Sequence, residues 1–132
     1  MARADFYQCS QAGQELVLAL RVAEKAYRKG HCVRVLCRDD KHADEVDNAL
    51  WELRPEAFVP HHRASNIVQT ERIGEDPLGL ALINLTGQFP RLPDEPWRMV
   101  EIIPADPEQR GGSRGRYRRY MELGHELNVV NA

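Results

Sequence analysis

Apolar positions follow two different rhythms along the first half of the chain. Ala4 to Cys9, centred on Phe6 and Tyr7, is a short apolar run that predicts a strand. From about Gly13 to Lys29 the spacing becomes helical. Leu16, Leu20, Ala23 and Tyr27 form one apolar face, Lys25, Arg28 and Lys29 complement the negative end, and Gly30 closes the helix. His31 to Arg38 predicts a second, largely buried strand through Val33, Val35 and Leu36. Asp39 then reads as the N-cap of a helix running to about Leu53, with Ala43, Val46, Leu50 and Leu53 inward, and Arg54-Pro55 ends it. Strand, helix, strand, helix with short connections favours parallel strands with helices packed on the sheet faces.

The second half is less regular. Phe58-Val59-Pro60 is short and apolar, and Asn66 to Glu71 is a weak extended segment. Leu80 to Leu85 and Met99 to Ile103 are better strands, separated by the proline-rich loop Gly87 to Pro96. Asp106-Pro107-Glu108 is a helix-start signal for a last helix reaching Leu123, with Gly124 as its cap. Gly111, Gly112 and Gly115 oppose that start, each costing about 1 kcal/mol in a helix interior. They favour a start near Ser113, which would leave Arg110 on a loop. The expected architecture is a single α/β domain over residues 1–132, three-layered, with a mainly parallel or mixed central sheet.

The bulk numbers agree with a folded domain: 132 residues, 42% apolar and 29% charged, with a net charge of -2. That balance does not suggest nucleic-acid binding by overall charge. No apolar run is long enough to span a bilayer and no signal-peptide pattern opens the chain, so a cytoplasmic location is expected. Cys9, Cys32 and Cys37 form no C-x-x-C pair and read as buried reduced thiols.

The candidate chemistry is thin. The turn after the first strand, Ser10 to Gln14, has one glycine and matches no phosphate-binding fingerprint. Gly111 to Gly115 could form an anion nest but follows no strand in the right register. His61-His62 lacks a third ligand at a suitable spacing, so an exposed loop pair is expected and no metal or cofactor.

One stretch differs. Gln109 to Met121 holds no acid, and Arg110, Arg114, Arg116, Arg118 and Arg119 interleave with Tyr117 and Tyr120. On a helix, Arg110, Arg114, Tyr117 and Met121 share a face. Guanidinium groups beside an aromatic and a thioether suit a ligand with carboxylates and an apolar side chain. Three readings stay open on these residues alone: a solvated basic face with the tyrosines partly in the core, direct single-stranded nucleic-acid binding, and an acidic peptide ligand. A nucleotide-binding or enzymatic module on the same fold is the remaining alternative.

Four blocks in order carry a family resemblance: Phe6-Tyr7; Gly30 with Val33-Arg34-Val35-Leu36; Leu50-Trp51 followed by Phe58-Val59-Pro60-His61; and Arg116-Tyr117, Tyr120, Gly124 and Leu127-Asn128. Together they resemble the chi subunit of bacterial DNA polymerase III, a clamp-loader accessory. The resemblance implies a non-catalytic adaptor that binds the psi subunit and the acidic C-terminal tail of single-stranded-DNA-binding protein, meeting DNA indirectly. It assigns tail binding to Arg110, Arg114 and Tyr117, with Met121, Gly124 and Leu127 as pocket walls. It assigns the psi surface, with a helicase as a further partner, to Trp51 and Phe58. The segment Arg63 to Pro77 matches the family pattern only loosely.

Overall fold

A computed structural model describes residues 3–52, 59–70, 79–90 and 98–131. Seven strands form one sheet: β1 (Arg3–Gln8), β2 (Cys32–Leu36), β3 (His61–Ala64), β4 (Ile67–Thr70), β5 (Leu80–Asn84), β6 (Arg98–Ile103) and β7 (Glu126–Asn131). Their spatial order is β3-β4-β2-β5-β6-β1-β7. The five strands from β2 to β7 are parallel, and β4 runs antiparallel to both β2 and β3. The sheet is therefore mixed at the β3–β4 end, where the chain turns back through Ser65 at φ 56°.

Three helices cover the sheet: α1 (Glu15–Arg28), α2 (Asp40–Trp51) and α3 (Pro107–Glu122). The strand alternation decides which face each residue serves. Val33, Val35, Ala81, Ile83, Val100 and Ile102 point to the side of α1 and α2 and make the larger core with Leu18, Val22, Val46 and Leu50. Ala4, Phe6, Leu82 and Met99 point the other way and meet Tyr120 of α3. The buried stripe of α1 is Leu18, Ala19, Val22, Ala23 and Ala26, whereas Leu16, Leu20 and Tyr27 are only partly covered. This corrects the expected face by a fraction of a turn. Small alanines let the helix axis approach the sheet, and the larger residues lean over its flanks.

Asp39 caps α2 as its sequence suggests, accepting the His42 backbone N–H at 2.8 Å. Leu53 and Phe58 lie outside the described residues. Asp5, buried in β1, ties three strands together. It accepts from Arg3, from Arg98 of β6 at 2.5 Å and from Asn128 of β7 at 3.3 Å, while Arg98 also donates to the Tyr7 hydroxyl at 2.7 Å. Burial alone would raise the Asp5 carboxyl, but the hydrogen bonds and charges of Arg3 and Arg98 carry it below its ordinary value. Cys9, Cys32 and Cys37 are free thiols, and burial pushes Cys37 up to about 11. Among the described residues, no helix is long and apolar enough to cross a membrane.

Candidate protein-docking site

The last helix begins where Asp106 caps it. The Asp106 carboxylate accepts the Glu108 N–H at 3.0 Å, and Pro107 fills the first turn. The glycines do not delay the start to Ser113, so Arg110 lies on the helix. Packing compensates for their poor propensity. Ser113, Arg116 and Tyr120, spaced by three and four residues, are all buried against the sheet. Gly112 has a specific role, because a Cβ there would lie 3.1 Å from Arg116 Nη1.

The five arginines of this segment have three fates. Arg116 is buried. Its Nε donates to Glu101 Oε1 at 2.9 Å, Nη1 to the Gly87 carbonyl at 2.6 Å and Nη2 to Ser113 Oγ at 3.2 Å. Glu101 Oε2 accepts from the Tyr120 hydroxyl and from Asn84, both at 2.8 Å. Burial pushes the Glu101 carboxyl up, and these donors bring it only part of the way back. Burial, with Glu101 alongside, drives the Tyr120 hydroxyl far up, so it remains a donor. This is an internal network, and Arg116 belongs to the core rather than to a basic face.

Two more arginines are committed. Arg119 sits 4.3 Å from the centroid of the Phe89 ring. Arg110 donates from Nε to the Pro104 carbonyl at 2.9 Å and from Nη2 to the Cys9 carbonyl at 3.3 Å. It thereby bridges the carboxyl ends of β6 and β1, where crossovers leave to opposite faces. In many α/β proteins that point receives a ligand; here a guanidinium spans it.

Arg114 and Arg118 are the third class. Both are exposed, and among the described residues their side chains make no hydrogen bond or ion pair. They flank a groove of about 280 Å³ lined by Phe6, Gln8, Ile103, Arg110, Ser113, Arg114, Tyr117 and Arg118. Tyr117 is half-buried and meets Phe6 edge-on, with ring centroids 5.3 Å apart. The structure thus brings together Arg110, Arg114 and Tyr117. Met121 is 55% exposed, and with Gly124 and Leu127 it lies outside the groove lining. Gly124 makes the turn after α3 at φ 85°, and Leu127 packs partly against the Phe6–Tyr120 cluster. Arg118 was missed, although it stands one turn beyond Arg114. Phe6, Gln8 and Ile103 come from strands far away in sequence, and no local signal marks them as neighbours of Arg114.

The second candidate surface lies at the other end of the sheet. Trp51, at the end of α2, is 49% exposed and stacks on His61 with centroids 4.0 Å apart. His61 is not on an exposed loop as expected; it begins β3 and is buried, while His62 is exposed. One His61 ring nitrogen lies 2.8 Å from the Val59 carbonyl and the other 2.8 Å from Asp47 Oδ1. Backbone pairing to β4 and these two acceptors account for its burial. Phe58, the other residue assigned to this surface, lies outside the described residues. Among the described residues, no cluster of three His, Cys, Asp or Glu side chains could hold a metal ion.

Known proteins match this chain over most of its length. The family model described as DNA polymerase III chi subunit, HolC, matches residues 1–128. The DNA polymerase III subunit chi of Pseudomonas aeruginosa is 36% identical over 134 residues, covering 96% of this chain and 94% of the relative. The Escherichia coli subunit chi is 29% identical over 130 residues, covering 86% and 82%. That of Haemophilus influenzae is 26% identical over 140 residues, covering 97% and 96%. The chain therefore belongs to the DNA polymerase III chi subunit family.

Proposed function

We propose that this chain is a non-catalytic adaptor of the replicative DNA polymerase. It docks the acidic C-terminal tail of single-stranded-DNA-binding protein in the groove beside α3 and joins the clamp-loader assembly through psi. The observation that carries the reading is the pair of guanidinium groups of Arg114 and Arg118, without a partner among the described residues, on a groove lined by Phe6, Ile103 and Tyr117. A carboxylate can be held by two parallel bonds from one guanidinium, and an apolar side chain can enter beside the rings. Arg110 lines the same groove but spends two donors on backbone carbonyls, so its role is to set the groove's end and its positive field. Arg114 is the principal grip and Tyr117 the wall.

The exposed Trp51, held from below by His61, supports a second docking surface for psi or a helicase. The family resemblance assigns Phe58 to the same partner. DNA would be met through the binding protein, and the work would be done in the cytoplasm without cofactor or chemistry.

The test is a fluorescence-anisotropy titration with an acidic peptide that ends in an apolar residue and a free carboxylate. Arg114→Ala should weaken binding by about 1 kcal/mol, roughly fivefold in Kd. Raising the salt should weaken the wild type further, because partly exposed charges are screened. Equal affinity of wild type and Arg114→Ala would overturn the assignment.

A further inference from the structure

The strand β7 ends the sheet, and among the described residues no strand pairs with its outer edge. Protein edges of this kind are usually blunted by prolines, lysines, bulges or short length. The opposite edge follows that rule: β3 has four residues, packs against α2, and carries Arg63 paired with Asp44. The β7 edge does not. Glu-Leu-Asn-Val-Val-Asn pairs with β1 over all six residues, contains no proline and no lysine, and has one charge, Glu126. Val129 is 54% exposed on one face and Val130 40% exposed on the other. Such a strand leaves a row of backbone donors and acceptors facing outward beside uncovered apolar side chains.

The faces decide what could cover it. Val129 pairs with Phe6 and Asn131 with Gln8, so both side chains stand on the α3 side of the sheet, directly beside the two β1 residues that line the groove. Arg114 and Arg118 overhang that same side. A strand added to β7 would lie about 4.8 Å further out. Alternate side chains of that strand would then stand next to Val129 and within reach of the Arg114 and Arg118 guanidinium groups.

We propose that the β7 edge receives an extended acidic peptide as an eighth strand. Its backbone would bond to β7, and its carboxylates and apolar side chains on the α3 face would run into the groove at Arg114 and Tyr117. The proposal rests on the acidic-tail reading above and adds to it a backbone-recognition surface. Main-chain bonds supply affinity that does not depend on the side-chain sequence, and the groove supplies selection.

The experiment uses the full chain and three versions of the acidic peptide: unmodified, N-methylated at odd backbone positions and N-methylated at even positions. In an added strand only every second N–H faces β7. One methylated peptide should bind about tenfold more weakly, the loss of roughly two backbone bonds, and the other should bind like the unmodified one. Binding of the unmodified peptide should also slow amide exchange in residues 126–131. If both methylated peptides bind alike, whether as tightly as the parent or more weakly, the strand proposal is overturned. Should Arg114→Ala still weaken the unmodified peptide in that case, the groove reading survives on its own. An unmodified peptide indifferent to Arg114→Ala would remove both. A dimer in sedimentation that the peptide does not disperse would assign the edge to a second copy of this chain and reject the peptide.

Discussion

Arg114 and Arg116 lie two positions apart on α3 and have opposite surroundings. Arg114 faces water at the groove, while Arg116 is 7% exposed and holds Glu101, Gly87 and Ser113. Removing one partner of a buried pair leaves the other charge without compensation, at a cost of about 3–5 kcal/mol. Arg116→Ala should therefore lower stability by about that amount, and Arg114→Ala should stay within about 0.5 kcal/mol of wild type. Urea unfolding of the two variants measures both, and similar costs would contradict the burial of the network. The run of arginines reads as one basic patch in the sequence, because charge patterning cannot distinguish a guanidinium that finds a buried acid from one that does not. The acid was visible: Glu101 interrupts the apolar run Met99 to Ile103. Its partner could be found only from the packing of β6 against α3. His61 is a similar case. Its neighbour His62 and the absence of a third ligand at a suitable spacing suggest an exposed loop pair, whereas its burial depends on Asp47 and Trp51 of α2, ten or more positions away.

Helix α3 shows how tertiary packing overrides propensity. It contains three glycines and still runs from Pro107 to Glu122, because Tyr120, Ser113 and Arg116 anchor it to the sheet. The glycines are not equivalent. A Cβ at Gly111 or Gly115 would meet nothing within 4 Å, and neither has positive φ. At Gly112 the Cβ would press on Arg116 Nη1, which the Gly87 carbonyl holds at 2.6 Å and which cannot easily yield. Gly111→Ala and Gly115→Ala should each stabilise by about 1 kcal/mol, whereas Gly112→Ala should gain nothing or lose stability. Thermal unfolding of the three variants decides this; a uniform gain would mean that the contact at Gly112 is slack. The strands β1, β2, β5 and β6, each with an apolar face buried under a helix, are legible in the sequence, and β4, with Val68 alone in the core, is legible only as a weak extended segment. The strand β7 was not expected after Gly124, since both its faces are largely exposed and burial imposes no period on it. Only its pairing with β1, at the far end of the chain, makes it a strand.

Across the molecule, the two candidate surfaces sit at opposite ends of the sheet. Trp51 rests on β3, the first strand in the spatial order, and the groove is floored by β1, the sixth. Five strand spacings separate them, about 24 Å. The order of elements in the sequence announced parallel strands and layered helices but not this separation, because strand order depends on which crossovers skip a strand. The chain skips from β1 over β6 and β5 to reach β2, and from β6 over β1 to reach β7. The proposed adaptor role needs such spacing, since a partner at one end must leave the other end open. Energetic effects at sites this far apart, with no shared contacts, add to within about 0.3–0.5 kcal/mol. Trp51→Ala should therefore leave acidic-peptide affinity within about twofold of wild type, and the double variant Trp51→Ala/Arg114→Ala should bind like Arg114→Ala alone. Anisotropy titrations of the four proteins complete the cycle. A loss in Trp51→Ala as large as that in Arg114→Ala would show the two ends to be coupled, and the chain would then act as a switch between partners rather than as a bridge holding both.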